Sequence, residues 1–439
     1  MKTSQAEPRS LNKQNKVGNF RWVIVALLFF ATTISYLDRQ VFALLKPTLE
    51  KEFTWSETDY SYLVMAFTAA YATGLLVFGR IIDKIGTKIG YAVSVIWWSL
   101  AGVLTATATS TFGFGVFRAL LGLGEGGNFP AAIKTVAEWF PKKERAFATG
   151  LFNSGANIGA VITPIMVPWI LGVYSWKAAF IITGGIGFVW FILWWFLYYQ
   201  PSKHKLLTQE EYDYINSDVE ERQTEHEQPV KWIQLFGIRQ TWAFVFGKLL
   251  TDPIWWFYLY WLPAYFNASF NIDISKGGLP LATLYTFASI GSIGGGYLSG
   301  YLIKKGWLVF KARKTSMLFF ALCVVPIMAI QFTTNIWQAV ALLSLATAAH
   351  QAWSANIFTT ASDMFPKKAV SSVVGIGGMA GSLGGFVFPY IIGQLLDHYK
   401  ALGNITTGYN ILFVICGLAY LIAWGFMHLF APKMEKVNI

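Results

Sequence analysis

Apolar stretches of about twenty residues recur along the chain from Trp22 onward, each long enough to cross a ~30 Å hydrocarbon layer at ~1.5 Å per helical residue. Short polar connections separate them. Read as helices, they fall at 22–45, 60–82, 89–109, 112–138, 147–171, 177–200, 241–266, 278–303, 315–334, 337–365, 370–396 and 409–431, twelve in all. The pattern predicts an all-α membrane protein. The first stretch contains Asp38 and Arg39 and lacks a small-residue cleavage site, so it reads as a retained helix and not as a signal peptide.

One long polar segment, 201–240, rich in Glu, Asp, Gln and Lys, divides the apolar runs, and its Thr208 and Glu211 are spaced as a helix-capping pair. The expected organisation is an N-terminal tail (1–20), a six-helix bundle (21–200), a partly helical linker (201–240), a second six-helix bundle (241–431) and a C-terminal tail (432–439). An internal repeat supports this division. Phe140-Pro141-Lys142-Lys143 recurs as Phe365-Pro366-Lys367-Lys368, and Gly150, Gly159 and Pro164 recur at the same offset as Gly375, Gly384 and Pro389. An even number of spans per half preserves orientation, so the halves are parallel repeats, as in transporters that rock two bundles about a midplane site. The same offset sets Glu125 opposite His350.

Composition narrows the class. Of 439 residues, 55% are hydrophobic and 13% charged, about half the charge of an ordinary soluble domain, which excludes a water-soluble fold. The net charge of +11 does not indicate nucleic acid, because the basic residues are scattered through the short connections. They alternate with the spans: Lys13, Lys16 and Arg21, then Lys84 and Lys88, Lys142, Lys143 and Arg145, Lys304, Lys305, Lys311, Arg313 and Lys314, and Lys367 and Lys368. The opposite connections carry few, such as Lys276 and Lys400. The positive-inside rule therefore places both termini and the linker in the cytoplasm of a multi-pass protein of a bacterial inner (plasma) membrane. Cys323 and Cys416 fall in apolar runs without metal-ligand spacing, so they read as packing residues, and neither metal nor cofactor is expected. The 36 Phe, 19 Trp and 20 Tyr suit lipid-facing and interfacial positions or a sugar-sized pocket, and composition does not separate the two.

Away from the span ends, the ionisable residues that stand out are Asp38, Arg39, Arg118, Glu125, Lys248, Asp252 and His350. A charge at the bilayer centre costs at least ~2.5–3.5 kcal/mol, so each needs a partner, a wet cavity or a proton. Asp38 and Arg118 lie at similar depth and are placed to pair. Arg118 and Glu125, seven residues apart, share one helical stripe, with Glu125 roughly 10 Å deeper. Carboxylates at two depths beside arginines form a plausible proton route, since burial disfavours the ionised acid and a neighbouring guanidinium favours it. A structural salt bridge between the first and fourth helices is the competing reading. Lys248 and Asp252 sit one turn apart and either neutralise each other or act in function. His350, with Gln351, Ser354 and Asn356 nearby, is a packing histidine or a pocket residue. Tyr36, Tyr71, Asn153, Asn157 and Trp255 offer hydrogen bonds or a stacking face to a polyol, and lipid anchoring or packing is the alternative for each. The glycine runs Gly122–Gly127 and Gly294–Gly296 suit close helix packing and rocking better than nucleotide binding.

The segment Gly79-Arg-Ile-Ile-Asp83-Lys-Ile-Gly86-Thr-Lys88 is similar to the signature of the major facilitator superfamily between helices two and three. Orientation charges explain Lys84 and Lys88 but not Asp83. Tyr36-Leu-Asp38-Arg39 and Arg118-Ala-Leu-Leu-Gly-Leu-Gly-Glu125-Gly-Gly-Asn-Phe-Pro130 resemble the anion:cation symporter family across essentially the whole chain. Within it, Thr251-Asp-Pro-Ile-Trp-Trp-Phe-Tyr258, His350-Gln-Ala-Trp-Ser-Ala-Asn356 and Ser362-Asp-Met-Phe-Pro-Lys-Lys368 look most like bacterial hexuronate transporters.

The resemblance implies two pseudo-symmetric six-helix bundles. It implies that Arg39 engages a substrate carboxylate, that Asp38 pairs with Arg118 and releases it on protonation, and that Glu125 is the second proton site. Tyr36 and Tyr71 then lie near the sugar, with Arg118, Asn157, Trp255, His350 and Asn356 completing the substrate-binding set and Gly79, Asp83, Gly86 and Lys88 forming a gate. Where some sugar-acid relatives carry a glutamine in helix five, this sequence has Ala156 beside Asn157. The expected activity is proton-coupled import of a sugar acid anion, a hexuronate such as glucuronate or galacturonate, by a monomer working through alternating access. The rivals are symport of an aldonate or glucarate, and a nutrient sensor that binds without transporting. An enzyme is disfavoured, because no nucleophile, base and orienting residue converge by spacing.

Overall fold

The computed structural model describes residues 18–55, 57–217, 230, 232–270, 279–437 and 439. Lys13, Lys16, most of the N-terminal tail, the middle of the linker and Lys276 lie outside the described residues. Each predicted span is helical. The N-terminal half comprises α1 (Phe20–Phe53), α2 (Glu57–Ile85), α3 (Thr87–Thr105), α4 (Thr111–Glu125), α5 (Asn128–Trp139), α6 (Lys142–Val173) and α7 (Trp176–Leu197). The linker contributes the short α8 (Gln209–Ile215) and α9 (Trp232–Phe236). The C-terminal half comprises α10 (Arg239–Phe270), α11 (Leu279–Lys304), α12 (Val309–Val324), α13 (Ile336–Met364), α14 (Lys367–Ala401) and α15 (Ile405–Phe430).

Two spans are less regular than the hydrophobic pattern implies. The stretch read as one helix over 112–138 breaks at Gly126–Gly127 into α4 and α5. A side chain on Gly126 would run into the α2 backbone at Gly74 and Leu75, so bare backbone is what lets the fourth span lie this close to the second. The ninth span ends as a 3-10 segment, Val325–Phe332, where Pro326 withdraws a backbone donor.

Among the described residues, seven helices are long and apolar enough to cross a membrane by length and composition. Among those that fall short, α6, α10, α11 and α13 place Asn153, Lys248, Ser292, His350 and Gln351 in the buried interior. The large apolar residues Phe30, Val189, Phe196, Phe332 and Tyr390 are exposed on the outside. Polar groups inside and an apolar coat outside invert the soluble arrangement, as a lipid solvent requires.

The halves meet through α6 against α11 and α2 against α14. Among the described residues, the polar contacts between them lie at the molecular centre or on the side bearing the basic loops. Arg145 Nη1 donates to the Ser362 carbonyl at 2.9 Å, Arg313 Nη2 to the Lys142 carbonyl at 2.8 Å and Ser371 Oγ to the Pro130 carbonyl at 3.0 Å. Arg145 and Arg313 converge on Asp363 at 3.6 and 2.9 Å. Side chains on Gly150 or Gly296 would strike the backbone of Ser292 or Ala146 in the other half, so helix backbones touch directly here. The molecule is closed on its basic side.

In the linker, Thr208 Oγ1 accepts from the Glu211 amide at 3.2 Å, the cap its spacing predicts. The Glu211 carboxylate turns to the start of α1, accepting from the Phe20 and Arg21 amides at 3.1 Å each and pairing with the Arg21 guanidinium. Arg21 also pairs with Glu144 at the start of α6, so α8 ties these two helix ends together.

Candidate transport cavity

A recess of about 680 Å³, open solvent included, lies between the halves directly above the closed side. The N-terminal wall is Tyr36 and Arg39 from α1, Tyr71 and Leu75 from α2, Phe129 from α5, and Asn153 and Ala156 from α6. The C-terminal wall is Lys248, Asp252, Trp255 and Trp256 from α10, His350, Gln351, Ser354 and Phe358 from α13, and Val374, Gly378 and Ser382 from α14.

Arg39 is the centre of the N-terminal wall. Its Nε donates to Glu125 Oε2 at 2.5 Å, and its guanidinium carbon lies 4.4 Å from the Tyr71 ring centroid, 4.8 Å from Tyr36 and 5.3 Å from Phe67. Three aromatic faces hold the cation in place and leave its edge toward the cavity. Arg118 lies behind it, 4.5 Å from the Phe42 ring and 4.5 Å from the other side of the cluster at Phe67. Asp38 is buried beside them and interacts electrostatically with Glu125, Arg118 and Arg39. Among the described residues no hydrogen bond joins Asp38 to Arg118, and the hydroxyls that interact with the two acids are Thr183 for Asp38 and Ser35 for Glu125. The hydrogen-bonded Asp38–Arg118 pair expected from sequence is therefore not formed in this conformation. Glu125 has instead taken Arg39.

The C-terminal wall is built differently. Lys248 Nζ bonds to Asp252 Oδ2 at 2.7 Å within α10. The His350 ring stacks flat on Trp255, centroids 5.1 Å apart and planes 5° from parallel, and its Nδ1 shares a 2.5 Å hydrogen bond with Tyr420 OH. With Nδ1 engaged, Nε2 is the nitrogen left for the cavity. Asn153 Nδ2 donates across the gap to Gln351 Oε1 at 2.8 Å, and beneath it Phe129 stacks on Phe358 at 5.2 Å. These two contacts form the floor.

The structure thus brings Tyr36, Arg39, Tyr71, Trp255 and His350 to one cavity, with Asp38, Arg118 and Glu125 packed behind its N-terminal wall. Two of the sequence-chosen residues lie elsewhere. Asn157 is buried off the lining with its Nδ2 unbonded, and Asn356 donates to the Gly295 and Ala352 carbonyls at 2.9 Å each, joining α13 to α11. Phe129, Phe358, Trp256 and Gly378 were not singled out from sequence. The repeat held a signal for some of them: the offset relating Glu125 to His350 also relates Phe129 to Ser354 and Asn153 to Gly378, and both of these pairs line the cavity.

The four residues expected from sequence to form a gate lie on the closed side. Asp83 accepts from Lys134 Nζ at 2.8 Å and from the Ser372 amide of α14 at 2.7 Å, so its carboxylate joins α2, α5 and the opposite half. Gly79 faces the Ser371 carbonyl with no room for a side chain. Gly86 adopts φ 86°, the left-handed turn that separates α2 from α3 and favours glycine. Lys88 lies 3.2 Å from the Tyr199 ring centroid, anchoring the start of α3 to the end of α7.

Comparisons with known proteins bear on the family and the fold. The family model of the Major Facilitator Superfamily matches residues 28–389. The hexuronate transporter of Escherichia coli (strain K12) is 33% identical over 415 residues, covering 93% of this chain and 94% of that protein. The galacturonate transporter of Dickeya chrysanthemi is 34% identical over 284 residues, covering 64% of this chain and 82% of that protein. Among solved structures, the proton:xylose symporter XylE bound to 6-bromo-6-deoxy-D-glucose superposes with a TM-score of 0.73 at 15% identity, covering 95% of this chain and 97% of that one, a likeness of fold.

Proposed function

Since this chain belongs to the Major Facilitator Superfamily and is a membrane transporter, we propose that it imports a hexuronate together with protons, with the basic side of the molecule in the cytoplasm of a bacterial inner membrane. One observation carries the reading: a guanidinium on the cavity wall, cradled by Tyr36, Tyr71 and Phe67, is bonded to a fully buried carboxylate, Glu125, with a second buried acid, Asp38, beside it. The relatives' names, hexuronate and galacturonate transporter, support the substrate class.

In the cycle, protons reach Asp38 and Glu125 from the open side. Protonated Glu125 loses its attraction for Arg39, and the guanidinium becomes free to bind the substrate carboxylate in a bidentate manner. The sugar hydroxyls then meet Tyr36, Tyr71, Asn153, Gln351 and His350, and a ring face lies against Trp255. With its charges neutralised the site can close on the open side and part at the Phe129–Phe358 floor. Inward movement of net positive charge adds ~2.3 kcal/mol per charge per 100 mV of potential.

A second cation at the cavity, Lys248, supports a rival substrate, a dicarboxylate such as glucarate. Equilibrium binding of glucuronate, galacturonate, galactonate and glucarate to purified protein separates these readings. The proposal expects hexuronates to bind tightest and Arg39→Ala to abolish their binding. Preference for glucarate would move the assignment to the rival, and binding unaffected by loss of Arg39 would remove the docking role.

A further inference from the structure

Lys248 is the one buried cation at the cavity to which the transport cycle above gives no task. Its ammonium bonds to Asp252 Oδ2 at 2.7 Å and lies 4.1 Å from the centroid of the Phe358 ring. Phe358 in turn stacks on Phe129 of the opposite half, the planes 17° from parallel, and both rings line the cavity. One side chain therefore touches the counter-ion beside the cavity and the ring that closes its floor.

The exposure of the pair is uneven. The Asp252 side chain is 22% exposed and that of Lys248 is 5% exposed, so the anion is the member presented to the cavity. Asp252 also interacts electrostatically with Tyr36 and Tyr71, the rings that cradle Arg39 on the facing wall. Its other side rests on Gly381 of α14, where a side chain would overlap the carboxylate. A pair serving only to cancel charge for membrane insertion has no need to present its acid to the cavity.

We infer that Lys248 is a positioning residue that links occupancy of the cavity to opening of its floor. An anionic guest on Arg39 brings like charge up to Asp252, which weakens the hold of Asp252 on Lys248. The ammonium then turns toward the guest and leaves Phe358, and the Phe129–Phe358 stack loses the cation that fixes one of its rings. This rests on the sugar-acid reading above and adds to it a route from binding to movement.

The test compares wild type with the uncharged double variant Lys248→Gln/Asp252→Asn and with Lys248→Arg, measuring glucuronate binding in detergent and counterflow in proteoliposomes. The double variant is expected to lose maximal exchange rate by at least about tenfold more than it loses glucuronate affinity, and Lys248→Arg is expected to recover most of that rate. Wild-type exchange in the double variant would overturn the inference and leave charge cancellation as the role of the pair. Binding and exchange lost in equal measure would also overturn it, making Lys248 a direct ligand. Should the double variant fail to fold, Phe358→Leu, which keeps the pair, must show the same loss of rate with binding retained, and a full rate there overturns the coupling. A wild-type protein that neither binds nor exchanges any sugar acid overturns the transport reading itself.

Discussion

On the N-terminal wall of the cavity Arg39 takes its counter-ion from a different helix, Glu125 at 2.5 Å, whereas on the C-terminal wall Lys248 takes its own from one turn along the same helix, Asp252 at 2.7 Å. The first pair spans α1 and α4 and changes whenever those helices shift or a proton arrives. The second travels with α10 as a unit. Around Arg39 two buried acids, Asp38 and Glu125, interact with each other and with two guanidiniums, so the charge of each depends on its neighbours. That arrangement suits groups that must gain and lose protons. The C-terminal wall, with His350 stacked on Trp255 and bonded to Tyr420, suits recognition. On the proposed reading, the first wall carries the protons and the second contributes recognition and the coupling of binding to movement.

The contrast can be broken most severely at Arg39. Arg39→Ala removes the proposed docking cation, so uptake should fall by about a hundredfold or more with expression intact, since truncating one partner of a buried, hydrogen-bonded charge pair with a ligand costs ~2–5 kcal/mol of binding. Radiolabelled uptake in a carrier-deficient cell measures it, and a loss under threefold would deny Arg39 its role. Next in size, Glu125→Gln should keep exchange of substrate for substrate yet lose at least about tenfold in accumulation driven by a pH gradient. The sign follows from linkage: wild-type uptake should fall as the pH on the open side rises, because a proton is a reactant, and the variant should lose that slope. Gly296→Val probes the closed side. With Ala146 backbone already against Gly296, the larger residue should disfavour this conformation, and a cysteine pair placed across the basic side should crosslink several-fold more slowly. The smallest effect belongs to Asn153→Ala, which removes two interhalf hydrogen bonds, to Gln351 at 2.8 Å and to Ser292 at 3.2 Å. At ~0.5 kcal/mol net apiece it should shift the opening equilibrium about fivefold, visible as altered labelling of a cysteine introduced at the floor.

The hydrophobic pattern located every span, because a run of apolar residues in lipid has few alternatives to a helix. It did not reveal the break between α4 and α5, which arises from contact with α2, a relation between distant segments. The charged residues stood out individually for the same reason the helices did, since lipid rejects them. Their partners were less legible. Depth along helices suggested Asp38 with Arg118, but whether Arg39 reaches Glu125 depends on how α1 and α4 are rotated about their axes, which spacing does not encode. Helical phase explains Asn356: at ~100° per residue it falls roughly 200° around α13 from the lining residue Ser354, facing α11. The aromatic floor was hidden among many other Phe residues, since burial between two halves and burial against lipid use the same side chain.

The claim on which the rest depends is that protons and a sugar acid share the Arg39 site. Proteoliposomes loaded with a pH-sensitive dye, with the membrane potential clamped, test it directly: glucuronate or galacturonate added on the open side should acidify the lumen as it enters, and Arg39→Ala should show neither entry nor acidification. Entry of the sugar acid at full rate with no accompanying change in internal pH would contradict the account.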